Sequence, residues 1–172
     1  MKRHRYKKHI SLVFFLAINL FTQLSLAESF DNKKVIGETA KISVYKAQIV
    51  YLARIDTGAR TTSIHALDII VKNGAKEQKD NIGKEITFTT ENEDLVKTKV
   101  TTTIIDVAKV RNAQGVEYRY VVDLKLIWQG FEKSGLINLR DRSAMSYKLL
   151  IGRNWLSNNF IVDVDKSEGI IE

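Results

Sequence analysis

From about residue 33 onward the chain is built from short apolar-polar alternations. Residues 85–91, Glu-Ile-Thr-Phe-Thr-Thr-Glu, put Ile86 and Phe88 on one face and threonines on the other, the period of a half-buried strand. Runs rich in β-branched and aromatic residues predict further strands over 33–45, 48–57, 66–73, 95–112, 116–128, 133–139, 148–151 and 161–165. Asn73-Gly74 closes the third of these runs with a hairpin-turn signal. The segment Asn112-Ala-Gln-Gly115 turns 95–112 back onto 116–128 as a long hairpin. Residues 75–84 are polar and predict a loop, with Lys76 to Asp80 solvated. The one helical stretch is 153–160, short and amphipathic, with Trp155 expected in the core. Many short strands separated by turns predict an all-β domain, closed or orthogonally packed.

The first 27 residues do not share this pattern. A basic start (Lys2, Arg3, Arg5, Lys7, Lys8) leads into an apolar run from Ile10, and Ser-Leu-Ala precedes Glu28. That is the make-up of a secretory signal peptide. Asn19, Thr22 and Gln23 interrupt the run too early for a comfortable membrane span, which leaves an uncleaved anchor as the lesser reading. The expected organisation is a signal peptide over 1–27 and one domain over 28–172. The mature protein is then periplasmic or secreted after cleavage near Ala27. With no cysteine in the chain, neither lipid attachment through a thiol nor a disulfide is available.

Removing that segment changes the electrostatics. The chain carries a net +7, from 27 basic and 20 acidic residues. Five of the basic residues precede Glu28, which leaves 22 against 20, a net of +2. The basic isoelectric point therefore gives no support to a nucleic-acid partner. A domain of this size buries about two thirds of its unfolded surface in one core.

The candidate chemistry narrows by residue type. His65 is the single histidine after residue 27, so a Ser-His-Asp triad has one base to use, with Ser63 and Asp68 close in sequence rather than on distant segments. One histidine and no cysteine are too few ligands for a protein-held zinc, and no metal or other cofactor is expected. No phosphate-cradling glycine loop is present. Carboxylates remain. Asp56 ends an apolar strand and is followed by Thr57, Gly58 and Ala59. Gly58 permits a tight turn, and Ala59 keeps space beside the carboxylate. Asp-Thr-Gly by itself is an ordinary turn. Here a second motif follows, Leu149-Leu-Ile-Gly-Arg-Asn-Trp-Leu156, an apolar strand running through glycine into a helix.

Together the two stretches resemble the retropepsin family of aspartic proteases. More narrowly, Asp56-Thr-Gly-Ala-Arg-Thr-Thr-Ser-Ile-His-Ala66 and the run 139–154 resemble a bacterial retropepsin-like group often labelled ATP-dependent zinc protease, with Thr62 in place of a serine. The resemblance spans about residues 35–165. It implies an acid-protease closed barrel with one short C-terminal helix, and a homodimer in which each chain supplies one Asp56. The pair holds a water that attacks a peptide bond. Two carboxylates about 4 Å apart repel by about 4 kcal/mol at an effective dielectric near 20, so such a pair retains one proton between them. The resemblance gives Thr57 the role of locking the two loops across the dimer, and Gly58 that of receiving substrate on its backbone, with Ala59 completing the loop.

Departures from the family pattern are informative. Arg60 stands where the retroviral enzymes often have an acid that pairs with the helix arginine, so Arg153 needs another partner, with Asp141 as the candidate. The flap is not glycine-rich; residues 111–118 are the candidate, with Gly115 alone. Arg60, His65, Arg140, Asp141 and Arg153 are the candidates for substrate or structural contacts. His65 reads foremost as structural or pocket-lining. Residues 140–142 read as a salt-bridged loop, with substrate-carboxylate binding as the alternative. Trp128 reads as core or as an interface anchor. The function expected is an aspartic-type endopeptidase acting on a peptide or protein. The alternative is a non-catalytic β module of the cell envelope, binding a peptide or a partner protein on the same fold. A third reading is a protein working with an envelope system that contains a peptide ligase or transglutaminase.

Overall fold

The computed structural model describes residues 32–112 and 115–171. The expected signal peptide over 1–27 lies outside the described residues. The unit Val35–Glu172 is nearly all-β. Its strands are β1 (Lys34–Val44), β2 (Ile49–Ile55), β3 (Thr62–His65), β4 (Leu67–Val71), β5 (Glu85–Glu91), β6 (Lys97–Asn112), β7 (Gly115–Trp128), β8 (Phe131–Arg140), β9 (Leu149–Ile151) and β10 (Phe160–Ser167). One α-helix, α1 (Arg153–Leu156), follows β9, and a 3-10 turn covers Gln78–Asn81.

Alternation does the local work. In β5, Ile86, Phe88 and Thr90 face inward between half-exposed neighbours. The inward parity of β7 passes through Val122, Leu124, Leu126 and Trp128. The strands form one sheet ordered β10-β1-β2-β9-β3-β8-β7-β6-β5-β4, with a further β1–β7 pairing. That pairing closes a hydrogen-bonded ring of β1, β2, β9, β3, β8 and β7. Its seam is short, Ser43 opposite Ile127 and Val44 opposite Leu126. The expected closed barrel is met only as far as this ring, because β10 and β4 remain as sheet edges. At one edge Gly37 lets β10 approach closely: a Cβ there would lie 2.4 Å from the Lys166 carbonyl oxygen.

The ring is filled by aliphatic side chains, and one end is closed by aromatics. Trp155 stacks on Phe160 with centroids 4.8 Å apart, and Phe131 and Trp128 meet Phe160 edge-on. Trp155 is fully buried, as expected of a core residue; truncating an interior aromatic of this size costs about 3–5 kcal/mol. Trp128 resolves as core too, with its indole N–H donating to Glu168 Oε1 at 3.0 Å.

Four local expectations need correction. The helix expected over 153–160 stops at Leu156; Asn158 takes φ +71, and Phe160 already begins β10. Asparagine tolerates that left-handed conformation and so ends the turn. The loop expected over 75–84 contains the 3-10 turn and is pinned by buried Asn81, whose amide pairs with Ala75 N and O and donates to Tyr120 Oη. The strand expected over 66–73 is shorter. It is an outer strand with a bulge between Leu67 and Ile70, where Asp68 takes φ +50. Residues 62–65, not expected as a strand, form β3 with all four residues buried. The long hairpin is present, its arms paired from Ile104–Val122 to Asn112–Gly115 with one bulge.

Candidate active site

The loop from Asp56 to Thr61 joins β2 to β3, and β9 runs between those two strands. β9 pairs parallel with β2 (Ile55 opposite Ile151) and antiparallel with β3 (Ser63 opposite Leu150). The second sequence motif is thereby threaded under the first. Asp56 N–H donates to Ile151 O at 2.9 Å, Arg153 N–H to Ala59 O at 2.9 Å, and Asn154 N–H to Arg60 O at 3.2 Å.

Side chains finish the clamp. Thr62 Oγ1 donates to Asn154 Oδ1 at 2.9 Å and accepts from Gly152 N–H at 3.1 Å, and Thr62 N–H donates to Asn154 Oδ1 at 2.8 Å. Asn154 Nδ2 reaches Leu136 O. Arg153 finds its partners in the loop itself: its guanidinium donates to the carbonyls of Thr57 and Gly58 at 2.8 and 3.0 Å. The expected Asp141 partner is thus replaced by two backbone carbonyls. Arg60 leaves no acid at that place, and Arg153 satisfies the exposed carbonyls of the turn instead. Arg153→Ala is expected to speed hydrogen exchange at the Gly58 and Ala59 amides by about tenfold or more. Global stability should fall by about 1 kcal/mol, as for loss of partly exposed hydrogen bonds. Unchanged exchange at those amides would show that the arginine does not hold the loop.

Asp56 sits half-buried at the mouth of this clamp. Its Oδ1 accepts the N–H groups of Gly58 at 2.8 Å and Ala59 at 3.0 Å. Such bonds to a carboxylate are charge-assisted and fix its orientation. Oδ2 accepts no hydrogen bond from the described residues. Thr57 and Gly58 are exposed and Ala59 is half-buried.

Cations gather on the same side. The Asp56 carboxylate acts favourably on Arg142, whose guanidinium is pushed down to about 10 by burial, with Arg140 and Arg119 adding to the shift. Arg142 is 6% exposed, and its Nε donates to Tyr147 O at 3.0 Å. Arg119, equally buried, donates to Asn138 Oδ1 at 3.1 Å and to Glu117 Oε2 at 2.6 Å. The Arg119 hydrogen bond holds the Glu117 carboxyl below its ordinary range. Asn138 returns to the loop through Thr61 Oγ1 and Thr62 O.

Residues 35–172 match the family described as RimB-like, retropepsin-like aspartic endopeptidase RimB. The chain belongs to this family. It is also similar to curated proteins named probable alpha-L-glutamate ligase. One from Shewanella halifaxensis is 29% identical over 80% of this chain, and one from Parasynechococcus marenigrum is 30% identical over 67% of it. The chain spans less than a third of these relatives, 30% and 24% of their lengths. A crystal structure of a Legionella pneumophila protein of unknown function superposes with a TM-score of 0.62 at 23% identity, over 77% of this chain and 95% of that one. That likeness concerns the fold.

Within the RimB-like framework, the structure brings Asp56, Thr57, Gly58, Ala59 and Arg153 together. Arg60 is exposed and contributes its carbonyl. Arg140 is half-buried at the end of β8, while Asp141 is exposed. His65 is buried at the end of β3, and its Nδ1 accepts the backbone N–H of Arg142 at 2.9 Å. Sequence reasoning passed over Arg119 and Asn138, read Arg142 only within the 140–142 loop, and gave Thr62 and Asn154 no role beyond their places in the motifs. The alternation gave no signal for Arg119, which lies on the opposite strand parity from the inward Val122, Leu124, Leu126 and Trp128. Among the described residues, no group of three His, Asp or Glu side chains converges as a metal site.

Proposed function

We propose that this chain is an aspartic endopeptidase that works as a homodimer in the periplasm or outside the cell, with Asp56 of each subunit forming one catalytic pair. The observation that carries this reading is the state of the Asp56 carboxylate. One oxygen is fixed by two backbone amides, and the other accepts no hydrogen bond from the described residues. Such a group is preorganised to hold a water against a second carboxylate. The ionised Asp56 takes a proton from that water as its oxygen attacks the scissile carbonyl carbon. The protonated Asp56 of the other subunit donates to the carbonyl oxygen. On collapse the C–N bond breaks, the proton taken from water leaves on the amine, and one hydroxyl proton of the diol returns to the second Asp56, which restores the pair. Exposed Thr57 and Gly58 are the loop surface that a second subunit would cover.

The substrate we favour is an acidic peptide, cut beside a carboxylate side chain. Arg119, Arg140 and Asp56 all act electrostatically on Arg142, and Arg140 is the half-exposed member of the three arginines. Arginine pairs bidentately with carboxylates. The relatives' names concern joining of α-L-glutamate, whose product would be such a peptide; this chain would cleave what a ligase of that kind makes.

The test is hydrolysis of an oligoglutamate-containing peptide, against a matched neutral peptide, between pH 4 and 7 over a dilution series. Activity per chain should fall on dilution as the dimer dissociates, and excess Asp56→Asn chains should suppress wild-type activity by forming mixed dimers. Activity independent of concentration in a protein that sediments as a monomer would exclude the paired site. A stable dimer that hydrolyses neither peptide would favour the non-catalytic binding module.

A further inference from the structure

The loop between β8 and β9, residues 141–148, is organised around buried cations. Lys148, 9% exposed, donates through Nζ to the carbonyls of Arg142, Ser143 and Met145 at 3.3, 2.9 and 3.1 Å. Arg142 Nε holds the Tyr147 carbonyl, and Asp141 Oδ1 accepts Ser143 N–H at 2.8 Å. The loop's one contact with an imidazole is the acceptance of Arg142 N–H by His65 Nδ1. His65 is itself pinned by its backbone: its N–H donates to Lys148 O at 2.8 Å, and the next amide, Ala66 N–H, donates to Arg140 O at 2.9 Å.

That contact fixes the tautomer. Nδ1 must carry a lone pair, so the ring proton of neutral His65 is on Nε2. Nε2 is buried and has no hydrogen-bond partner among the described residues. Two carboxylates wait just beyond bonding reach on either side of the ring. Glu91 Oε1 of β5 is 4.0 Å from Nε2, and Asp141 Oδ1 is 3.9 Å from Nδ1. Glu91 is tied to Lys97 of β6 at 3.0 Å. The charged groups facing the imidazole are therefore Glu91, Asp141, Lys148 and Arg142, with Lys97 behind Glu91.

The ring thus has two mutually exclusive sets of partners. Neutral, it accepts the Arg142 amide. Protonated, it has a hydrogen on each nitrogen and cannot accept that amide, while Asp141 and Glu91 become its ion-pair partners. We propose that His65 is a positioning residue: in its neutral form it holds the Arg142 backbone, and with it the buried arginine side chain on the Tyr147 carbonyl, in place within the 141–148 loop, and its protonation exchanges the Arg142 amide for Asp141 and lets the arginine move away. Drawing in Asp141 also takes the acceptor from Ser143 N–H, so the change spreads along the loop.

The sign follows from the surroundings. Burial, opposed by Glu91 and Asp141 and reinforced by Lys148 and Arg142, holds the imidazole below its ordinary value of 6.5. Arg142 is therefore seated at neutral pH, and the exchange occurs on acidification below that value. Capture of an acidic peptide would weaken as His65 takes up its second ring proton. This consequence rests on the acidic-peptide reading of Arg142; the exchange itself does not.

Two measurements keep the two claims apart. In the full-length protein labelled with 15N, the Arg142 and Ser143 amides should shift with the same midpoint as the His65 ring protons. An Arg142 amide that stays fixed while His65 titrates would overturn the proposal, whatever the enzyme cleaves. In the Asp56→Asn background, binding of a fluorescent oligoglutamate peptide should weaken about fivefold or more as the pH is lowered through the His65 midpoint read from those amide shifts. In His65→Asn, whose amide oxygen replaces the Nδ1 acceptor without titrating, that weakening should fall below about twofold. Equal pH dependence in the two proteins would also overturn it. Failure of both to bind the peptide, with the amide shifts intact, would strike the substrate assignment and leave the positioning role standing.

Discussion

Asp56→Asn is expected to lower peptide hydrolysis by about 10³-fold or more while leaving the fold in place. An amide oxygen occupies the position of Oδ1 and can still accept the Gly58 and Ala59 N–H groups, now 2.8 and 3.0 Å from the carboxylate. What disappears, under the proposed mechanism, is the base. General acid-base catalysis by a positioned carboxylate supplies about 10²–10⁴-fold, and the substitution also removes the charge that polarises the attacking water. The cost to stability should be about 1 kcal/mol, the difference between charge-assisted and neutral hydrogen bonds at a partly exposed turn. Peptidase rates and a thermal melt, taken on the same preparation, check both halves. Full activity in the variant would remove Asp56 from the reaction. A large drop in Tm would make the group structural.

Gly152→Ala should instead unfold the site from beneath. A Cβ at this position would lie 2.6 Å from the Thr61 carbonyl carbon, 2.7 Å from its oxygen and 3.0 Å from its nitrogen. All three are backbone atoms, so no rotamer can relieve the overlap. One of two packed segments has to move. Either movement pulls Gly152 N–H from Thr62 Oγ1 and Arg153 N–H from Ala59 O. Overpacking of this kind costs about 1–3 kcal/mol, and each buried hydrogen bond broken adds about 1 kcal/mol. A loss of about 3–4 kcal/mol lowers Tm by roughly 10 °C in a domain of this size. Denaturant unfolding of variant and wild type measures it directly. A loss under about 1 kcal/mol would mean that the glycine is not required where β9 passes beneath the Asp56 loop.

These two substitutions separate the functions of the two motifs. The first motif presents a carboxylate; the second, through Gly152, Arg153 and Asn154, holds the backbone that presents it. The resemblance paired these stretches, and the fold gives the physical reason. β9 lies between β2 and β3, so the residues flanking Asp56 take their hydrogen bonds from a segment about 95 positions later in the chain. Any insertion that displaced β9 would disorient Asp56 without touching it.

What the sequence by itself determined is what period and turn chemistry can encode. The alternation of β5, the long hairpin of β6 and β7, the burial of Trp155 and the tight turn after Asp56 are local, because the pleat and the glycine positions act within a few residues. Tertiary structure alone decided the rest. Thr62-Ser63-Ile64-His65 shows no alternation because both faces of β3 are covered, so its sequence predicted no strand. Arg153 turned to the carbonyls of Thr57 and Gly58 rather than to Asp141. Arg142, read as part of a salt-bridged loop over 140–142, is buried, bonded to the Tyr147 carbonyl and held through His65. Each of these outcomes depends on which distant strands lie side by side, and a pattern with a period of two residues carries no information about that.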